Sequence, residues 1–316
     1  MKQIAAAVGV WGIIVFAGLG VPCSVDAHEP VFSPGPHTLY EGGISTSVGS
    51  SIASTGDGEP NIGLSAGAVY GLTADLNLAV GVPVAVSRQT HDGELTGVGD
   101  SVFQVKWRPW KSMAKGRIDA LSLIGAVKLP TGHHDLSRGN TGFVVGATAA
   151  REHQRYYVFG SVRYTTQTVG TGGVKPGDVF QYDVATGVRP FILEYDQPDA
   201  VVLVELNGRT SRPSQGISGG SGGTEQSHHG LSDATARYDT RRQGQYRTRR
   251  QAHTAGAVDF ASAGTGGTEL AVSPELLLSW GPVMLKGGIQ FPFFDTFENP
   301  AATPNYRIQS SLIVQF

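Results

Sequence analysis

From residue 43 to the C-terminus, apolar and polar residues alternate in stretches of about ten positions, and turn-forming residues separate the stretches. A period of two places successive side chains on opposite faces of a strand, so each stretch has one apolar and one polar face. No helical period is sustained over three turns. The pattern therefore predicts an all-β fold.

Twelve stretches have this character, nine of them clearly and three Gly-rich ones more weakly. Twelve is an even number, as in single-chain bacterial barrels, and about ten residues allow a tilted strand to cross a bilayer. We therefore expect a transmembrane antiparallel β-barrel of about 12 strands, with N- and C-termini in the periplasm. The clear strands are predicted at Leu76–Val86, Asp100–Arg108, Leu121–Leu129, Tyr156–Tyr164, Tyr182–Phe191, Val201–Asn207, Glu269–Leu278, Val283–Phe291 and Tyr306–Phe316, and the weaker ones at Gly43–Ala53, Ile62–Tyr70 and Gly142–Ala150.

The connections between these strands alternate between short and long. Short periplasmic turns and long external loops are the arrangement of outer-membrane barrels, and a soluble β-sandwich gives no reason for this alternation. The longest connection, 208–268, is therefore expected to be an extracellular loop of a barrel that spans 42–316. The short connections are Gly71–Ala74, Pro109–Arg117, Arg151–Arg155, Glu194–Asp199 and Ser279–Pro282, and the long ones are Arg88–Gly99, Thr131–Thr141, Thr165–Val179, Gly208–Thr268 and Pro292–Asn305.

Composition supports a membrane barrel and excludes other classes. The 24 Lys+Arg nearly balance the 26 Asp+Glu among 316 residues, so no broad basic surface exists for nucleic acid. Only 16% of the residues are charged and 44 are glycine, yet the mean hydropathy is -0.08, which excludes a helical membrane protein. Amphipathic strands give this combination because their two faces cancel in the average.

The first 27 residues are predicted to be a signal peptide. Lys2 provides the positive start, Ala5–Val21 the apolar run, and Val25–Ala27 a small-residue cleavage site. The only cysteine, Cys23, lies in this region, so the mature chain would contain none. Export and the strand pattern together predict location in the outer membrane of a Gram-negative bacterium, with outer-membrane lipid and the barrel insertion machinery as partners.

The last predicted strand ends on an aromatic residue, which is the pattern that the outer-membrane insertion machinery recognises. One face of this strand carries mainly apolar side chains, and the other is polar except for Ile313. The residues of the first face are Tyr306, Ile308, Ser310, Leu312, Val314 and Phe316.

Several segments, in order along residues 70–316, resemble a single protein family. They are Tyr70–Thr73 with Leu76–Pro83, Gly97–Asp100 with Lys106–Arg108, Val127–Gly132, Gly177–Asp178, Glu205–Gly208, Gly267–Leu270 with Ser273–Pro274, and Gly288–Pro292. The chain thereby resembles the outer-membrane transporter family named for the MetA pathway of phenol degradation. The resemblance implies an outer-membrane channel and brings no catalytic motif with it. The chain departs from the family at Arg209–Gly267, where a shorter loop is expected.

Strand parity predicts which charged side chains face the lumen. Seven bases and four acids lie opposite the apolar face, which indicates a mildly cationic pore, since rings of charge select ions. The alternative is that opposite charges pair across the lumen, because isolated buried charges are costly. The predicted pore-lining residues are Lys106, Arg108, Lys128, Arg163, Asp183, Arg189, Glu205, Glu269, Glu275, Lys286 and Arg307.

Cleavage after Ala27 would make His28 the first residue of a mature, periplasmic N-terminal segment, 28–41. A free α-amine and the imidazole of the same residue chelate Cu(II), and the imidazole of His37 would add a third nitrogen. Three prolines between the two histidines would hold the segment extended. The alternative is a periplasmic leader or plug in which both histidines are only polar. No other cofactor is expected.

The leading hypothesis is thus an outer-membrane channel or transporter for small solutes, either hydrophobic or metal-linked, without enzymatic activity. A barrel enzyme of the lipase or protease type is one alternative, for which His133–Asp135, or Ser87 near His91, are the available residues. A copper-binding outer-membrane protein that uses the mature N-terminal histidine is another. A structural or adhesion barrel has only the long loop 208–268 in its support.

The long loop gives a test of the topology. Its Gly-rich, polar composition cannot bury a core, so its arginines should be open to a protease. Trypsin added to intact cells should therefore cleave there. Cleavage that requires prior permeabilisation of the outer membrane would place the loop on the periplasmic side. The expected sites are Arg241, Arg242, Arg247, Arg249 and Arg250.

Overall fold

The computed structural model describes residues 29–54, 60–90, 93–134, 136–191, 198–216, 266–297 and 304–316. The predicted signal peptide and most of the long loop, residues 217–265, lie outside the described residues. Among the described residues, no helix is long and apolar enough to cross a bilayer. The strands are β1 (Ile44–Ser54), β2 (Asn61–Thr73), β3 (Leu76–Thr90), β4 (Gly93–Gly97), β5 (Ser101–Ala114), β6 (Arg117–Leu129), β7 (Gly142–His153), β8 (Tyr156–Gln167), β9 (Val174–Lys175), β10 (Val179–Val188), β11 (Asp199–Ser211), β12 (Gln215–Gly216), β13 (Gly267–Trp280), β14 (Val283–Asp295) and β15 (Tyr306–Gln315).

Twelve of these strands form a closed antiparallel barrel, as the sequence predicted. Strands β5 to β15 follow one another in chain order around the barrel, apart from the short β9 and β12, which pair with each other in a separate two-stranded sheet. β1 lies between β15 and β2, and the pairing of β2 with β3 closes the ring. The short β4 forms a hairpin with β3. Closure gives each barrel strand a partner on both sides, which leaves no sheet edge.

All twelve predicted strands are present, but several extend further than the alternation indicated. The turn predicted at Pro109–Arg117 is wrong: β5 continues to Ala114, and its register shifts between Trp107 and Trp110. Such a bulge accommodates Pro109, because a proline cannot donate a ladder hydrogen bond. Similarly, residues 208–211 belong to β11, so the long connection begins at residue 212.

Burial alternates along the strands and separates two kinds of surface. In β10 every second residue is buried, including Gln181 and Asp183 inside the barrel. The alternate residues point outward and, except for Thr186, are apolar or aromatic: Phe180, Tyr182 and Val184 are 46%, 37% and 57% exposed. The barrel is thus polar inside and apolar outside, the reverse of a soluble protein.

The first and last barrel strands meet at the C-terminal residue. The backbone of Ile44 exchanges two hydrogen bonds with that of Phe316, at 2.7 Å and 3.1 Å. The hydroxyl of Tyr40 donates a further hydrogen bond to the Phe316 carbonyl at 2.5 Å. The Phe316 side chain itself is 52% exposed on the outer face.

Replacement of Phe316 by Asp should lower the yield of folded barrel. The change puts a charge at the rim of the apolar outer surface and removes the terminal aromatic residue, at the point where the ring closes. The measurement is the fraction of outer-membrane protein that migrates as a compact, heat-modifiable form in unheated gels. Phe316→Trp should preserve that fraction, and an unchanged yield for the Asp variant would show that the terminal aromatic residue is incidental.

Candidate functional site

The interior of the barrel contains ten of the eleven charged residues that strand parity assigned to the lumen. Each of the ten is at most 9% exposed. Arg189 is the exception, because β10 ends at Val188 and Arg189 lies at the rim with the short turns. There its guanidinium pairs with Asp199 at 2.7 Å. The ten interior residues are Lys106, Arg108, Lys128, Arg163, Asp183, Glu205, Glu269, Glu275, Lys286 and Arg307.

Several of these charges form local pairs rather than a ring of free charge. Arg163 on β8 donates to Asp183 on β10 at 3.0 Å. The same carboxylate accepts hydrogen bonds from the Ser161 hydroxyl at 2.7 Å and from the Asn207 side-chain amide at 2.9 Å. Since three donors satisfy Asp183, its charge is compensated within the wall of the barrel.

The same network continues around the wall from β11 to β15. The Asn207 carbonyl accepts from the Ser273 hydroxyl at 2.7 Å and from the Gln290 amide at 2.8 Å. The Gln290 carbonyl accepts a hydrogen bond from Arg307. The Arg307 guanidinium also donates to both carboxylate oxygens of Glu269, at 2.5 Å and 2.9 Å. A bidentate pair of this kind fixes both side chains in one geometry.

A second network lies at the end of the barrel with the long connections. Lys128 donates to Asp100 and to the Asn140 carbonyl, both at 3.1 Å. The Asn140 amide donates to Gln167 at 2.7 Å, and Asp100 accepts the Gly132 backbone amide at 3.1 Å. Lys128 thereby anchors the connection between β6 and β7 to the interior of the barrel.

The N-terminal segment, residues 29–40, lies inside the barrel at the end with the short turns. It forms no strand, and most of its residues are buried. The backbone amide of Val31 donates to Glu275 at 2.9 Å, and that of Phe32 donates to Glu205 at 3.3 Å. Two of the predicted pore-lining carboxylates therefore bind the backbone of this segment.

The barrel contacts the prolines of the N-terminal segment through their carbonyl oxygens, since proline has no amide hydrogen to donate. Each donor comes from a different strand, so the segment is held from several sides. Lys286 on β14 donates to Pro30 O at 3.1 Å, Thr148 on β7 to Pro34 O at 2.8 Å, and Ser122 on β6 to Pro36 O at 2.6 Å.

Charged contacts hold the two ends of the N-terminal segment. Glu29 accepts from Lys106 at 3.1 Å and from the backbone amide of His37 at 3.0 Å, which folds the segment back on itself. Burial alone would raise the pKa of Glu29, but the charges of Lys106, His37 and Lys286 outweigh it and lower the pKa to about 2. The His37 ring lies 2.5 Å from a carboxylate oxygen of Glu152 on β7.

Val31, near the start of the segment, lies in an apolar cluster near the short turns. Sequence reasoning missed this cluster because strict alternation leaves no apolar residue inside. The available signal was a loss of alternation, as in the run Val201–Val204, where both faces are apolar. The cluster contains Ala150, Tyr157, Phe159, Ala185, Val201, Leu203 and Leu277.

Sequence reasoning also missed the carboxylates that compensate the interior bases. Glu152 was predicted in a connection, Asp75 beside one and Asp100 as the first residue of a strand, and none was assigned to the interior. They pair with His37, Arg108 and Lys128, respectively. The signal that was available is their position within one or two residues of a strand end, where a side chain reaches back into the barrel.

A cavity of about 260 Å³ lies between the N-terminal segment and the inward faces of β1, β2, β3, β5, β14 and β15. It begins near Tyr40 and Gln315 at the end with the short turns and reaches Gly81 and Val102. The segment forms one of its walls through Glu29, His37 and Thr38 to Tyr40. The alternation of polar and apolar residues does not predict this space.

The structure does not test most of the residues proposed for copper or for catalysis. His28, His91 and Asp135 lie outside the described residues, as does the side chain of Ser87. The rings of His133 and His134 lie 4.3 Å apart in the connection after β6. Within the described ranges, no group of three or more His, Cys, Asp or Glu residues could hold a metal ion. The copper site at His28 and His37 stays a prediction.

The comparisons with known proteins support the predicted family and the fold. The family model "Putative MetA-pathway of phenol degradation" matches residues 26–194, which confirms the resemblance. No curated protein matches the chain in sequence.

Among solved structures, an outer membrane channel from Pseudomonas putida F1 is similar, with a TM-score of 0.61 at 11% identity over 93% of this chain and 100% of that chain. This likeness confirms the barrel fold. LpxR from Salmonella typhimurium gives a TM-score of 0.39 at 9% identity, over 85% of this chain and 99% of that chain.

Glu29→Gln should loosen the N-terminal segment, because the neutral amide is a weaker partner for Lys106. The stabilising effect of the carboxylate is fully present above its ordinary pKa of 4.5 and is lost as the pH falls toward about 2. The thermal unfolding midpoint of the variant in detergent should therefore lie below that of the wild type at pH 7, and the two should converge in strong acid. Glu41→Gln is the matched control because Glu41 is exposed, and an equal loss in this control would contradict the assignment.

Proposed function

We propose that this chain, which belongs to the family described as "Putative MetA-pathway of phenol degradation", is an outer-membrane channel for small solutes. The observation that carries the proposal is a closed barrel with an apolar outer surface and a polar, charged interior. Hydrocarbon cannot hydrogen-bond a backbone, so among β-structures only a closed barrel spans a bilayer. The apolar outer surface suits lipid, and the polar interior suits water and solutes.

Aromatic side chains are concentrated near both ends of the outer surface, which supports the membrane position. Such residues form belts where the hydrocarbon meets the headgroups, because their rings are apolar and their polar groups reach water. The exposed aromatic residues near the short turns include Tyr70, Trp107, Trp110, Tyr156 and Trp280, and those near the long connections include Phe143, Tyr164, Phe180, Phe293 and Phe294.

The orientation follows from the lengths of the connections. The start of β1, the C-terminal residue and the short turns lie at one end of the barrel, which we assign to the periplasm. The N-terminal segment and the cavity then face the periplasm, and the connection from residue 212 to 266 faces the exterior.

Of the two solute classes that the sequence suggested, the cavity supports small organic compounds. Val69, Val102 and Ile313 give it apolar surface, and the remainder of the lining carries hydroxyl, amide and charged groups. A metal-linked solute depends on the copper hypothesis for His28.

The channel proposal predicts discrete current steps when the purified, folded protein is added to a planar bilayer. It also predicts that liposomes containing the protein swell in solutions of small solutes. Protein unfolded by boiling should give neither signal, which controls for leakage caused by detergent.

Absence of both signals from the folded protein would contradict the channel. Turnover of lipid or peptide by the same preparation, without conductance, would favour the barrel enzyme instead.

A further inference from the structure

One wall of the barrel interior is built from short side chains. On β1, β2 and β3, no inward-facing residue between Ser45 and Pro83 is longer than asparagine, whereas β8, β11 and β13 present arginine, glutamate, tyrosine and leucine. Cross-strand pairing places these short side chains directly opposite one another, for example Ser47 opposite Gly67 and Gly67 opposite Gly81. We call this surface the small-residue wall; its members are Ser45, Ser47, Gly49, Ser51, Gly63, Ser65, Gly67, Val69, Asn77, Ala79, Gly81 and Pro83.

The cavity of about 260 Å³ lies against this wall. Glu275, Thr148 and Ser122 hold residues 31–36 of the N-terminal segment on the far side, and Leu39 and Tyr40 approach β2 at Gly71, near its short turn. The cavity is the space left between a wall of short side chains and an anchored peptide. Its volume is slightly below the usual range for pockets that bind drug-sized ligands, which suits a smaller compound.

Two buried polar groups in the cavity lack a hydrogen-bond partner in the described part of the chain. Asn77 is 5% exposed, and its side-chain oxygen accepts no hydrogen bond. Ser311 is 3% exposed, and its hydroxyl makes none. Both residues line the cavity. Buried polar groups are nearly always paired in proteins, so these two indicate a position for an external hydrogen-bonding partner.

The charged groups in the cavity, by contrast, already have partners. Lys106 binds Glu29 and the His37 carbonyl, and Lys286 binds the Pro30 carbonyl between the charges of Glu29 and Glu275. A charged solute would therefore lose its hydration without gaining a free counter-charge. A neutral solute avoids this cost.

The rest of the lining is apolar and adjoins the two unpartnered groups. Val69 is the apolar member of the small-residue wall, Ile313 lies two residues from Ser311 on the same inward face of β15, and Val102 closes the inner end. These side chains provide contact for a hydrocarbon body.

We propose that this cavity is a binding site for a small, uncharged organic solute that carries hydroxyl groups on an apolar body. A solute hydroxyl donates to the Asn77 oxygen, a second hydroxyl bonds with Ser311, and the body packs on Val69, Val102 and Ile313. The inference rests on the proposed channel function, since it assigns the class of solute that enters from the periplasmic end. The N-terminal segment stays in place and forms part of the site.

The binding test uses folded protein in detergent and cis-cyclohexane-1,2-diol, which combines two hydroxyls with an apolar ring. Its dissociation constant is measured by ligand-observed NMR titration, with cyclohexanecarboxylate as the charged counterpart. The wild type should bind the diol more tightly than the carboxylate. Asn77→Leu and Ser311→Ala should each raise the dissociation constant for the diol about fivefold, as expected for the loss of one neutral hydrogen bond.

A filled cavity provides an independent variant. Ser47→Trp places a large ring on the small-residue wall and should abolish binding. Thr46→Trp is the matched control, because Thr46 is the adjacent residue of β1 and faces outward. It should bind as the wild type does. Heat-modifiability on gels establishes that each variant is folded, and Ser311→Ala, which removes a single oxygen atom, keeps the test available if a larger change impairs folding.

Equal affinity for the diol in the wild type, Asn77→Leu and Ser311→Ala would overturn the proposal, as would equal or tighter binding of the carboxylate. Absence of diol binding by the wild type would do the same. Failure of the binding proposal can be distinguished from failure of the channel proposal, because diol binding is measured in detergent, without a membrane. In planar bilayers the diol should also reduce the current of the wild type, and the current of Ser47→Trp should be smaller than that of Thr46→Trp.

If the N-terminal segment instead had to leave the barrel before solutes pass, the lumen would be wide. Ser47→Trp would then hardly affect the current, and Thr148→Val, which removes a hydrogen bond to the segment, would raise it. These two currents would contradict the proposal that solutes pass beside a segment that stays anchored in the barrel.

Discussion

Closure of the hydrogen-bonded sheet is the constraint on which the rest of this structure depends. When β1 pairs with β15 and β2 pairs with β3, the barrel has no open edge, and each strand can face hydrocarbon without exposing unpaired backbone groups. Closure also turns every second side chain inward. A barrel of twelve strands encloses more space than a small barrel of eight, which its own side chains can fill. The interior must therefore be filled in other ways, and this chain fills it with polar networks and with its own N-terminal segment.

The interior networks show how charge is accommodated in that space. Arg163 with Asp183, and Arg307 with Glu269, join inward-facing residues of nearby strands, and neutral amides such as Asn207 link one pair to the next. Each of these four ions therefore meets its partner along the wall of the barrel. The N-terminal segment supplies partners elsewhere: the Val31 amide donates to Glu275, and Glu29 accepts from Lys106. The result is a barrel whose bulky, charged side is filled and whose side of short residues is left open.

Much of this architecture could be predicted from the sequence, because alternation is a local property. All twelve strands and the inward direction of ten charged residues followed from it, and a family resemblance pointed to the same fold. Strand ends were less predictable. A bulge at Pro109 allows β5 to continue where a turn was expected, and Arg189 lies one residue beyond the end of β10. The sequence left the location of the N-terminal segment open between a periplasmic leader and a plug, since side chains far away in the chain bind its backbone, and a backbone contact leaves no mark in the sequence of the segment.

The N-terminal segment has a consequence for the order of assembly. The contact between Val31 and Glu275 joins residues 244 positions apart, and that between Pro30 and Lys286 joins residues 256 positions apart. Contacts of such long range form late in folding, because the chain entropy between them must first be lost. The segment precedes every barrel strand in the chain, yet it has its full set of partners only when β14 and Phe316 are in place. A segment that is synthesised before every barrel strand should thus be the last to mature, and its settled position reports that the whole ring has been built.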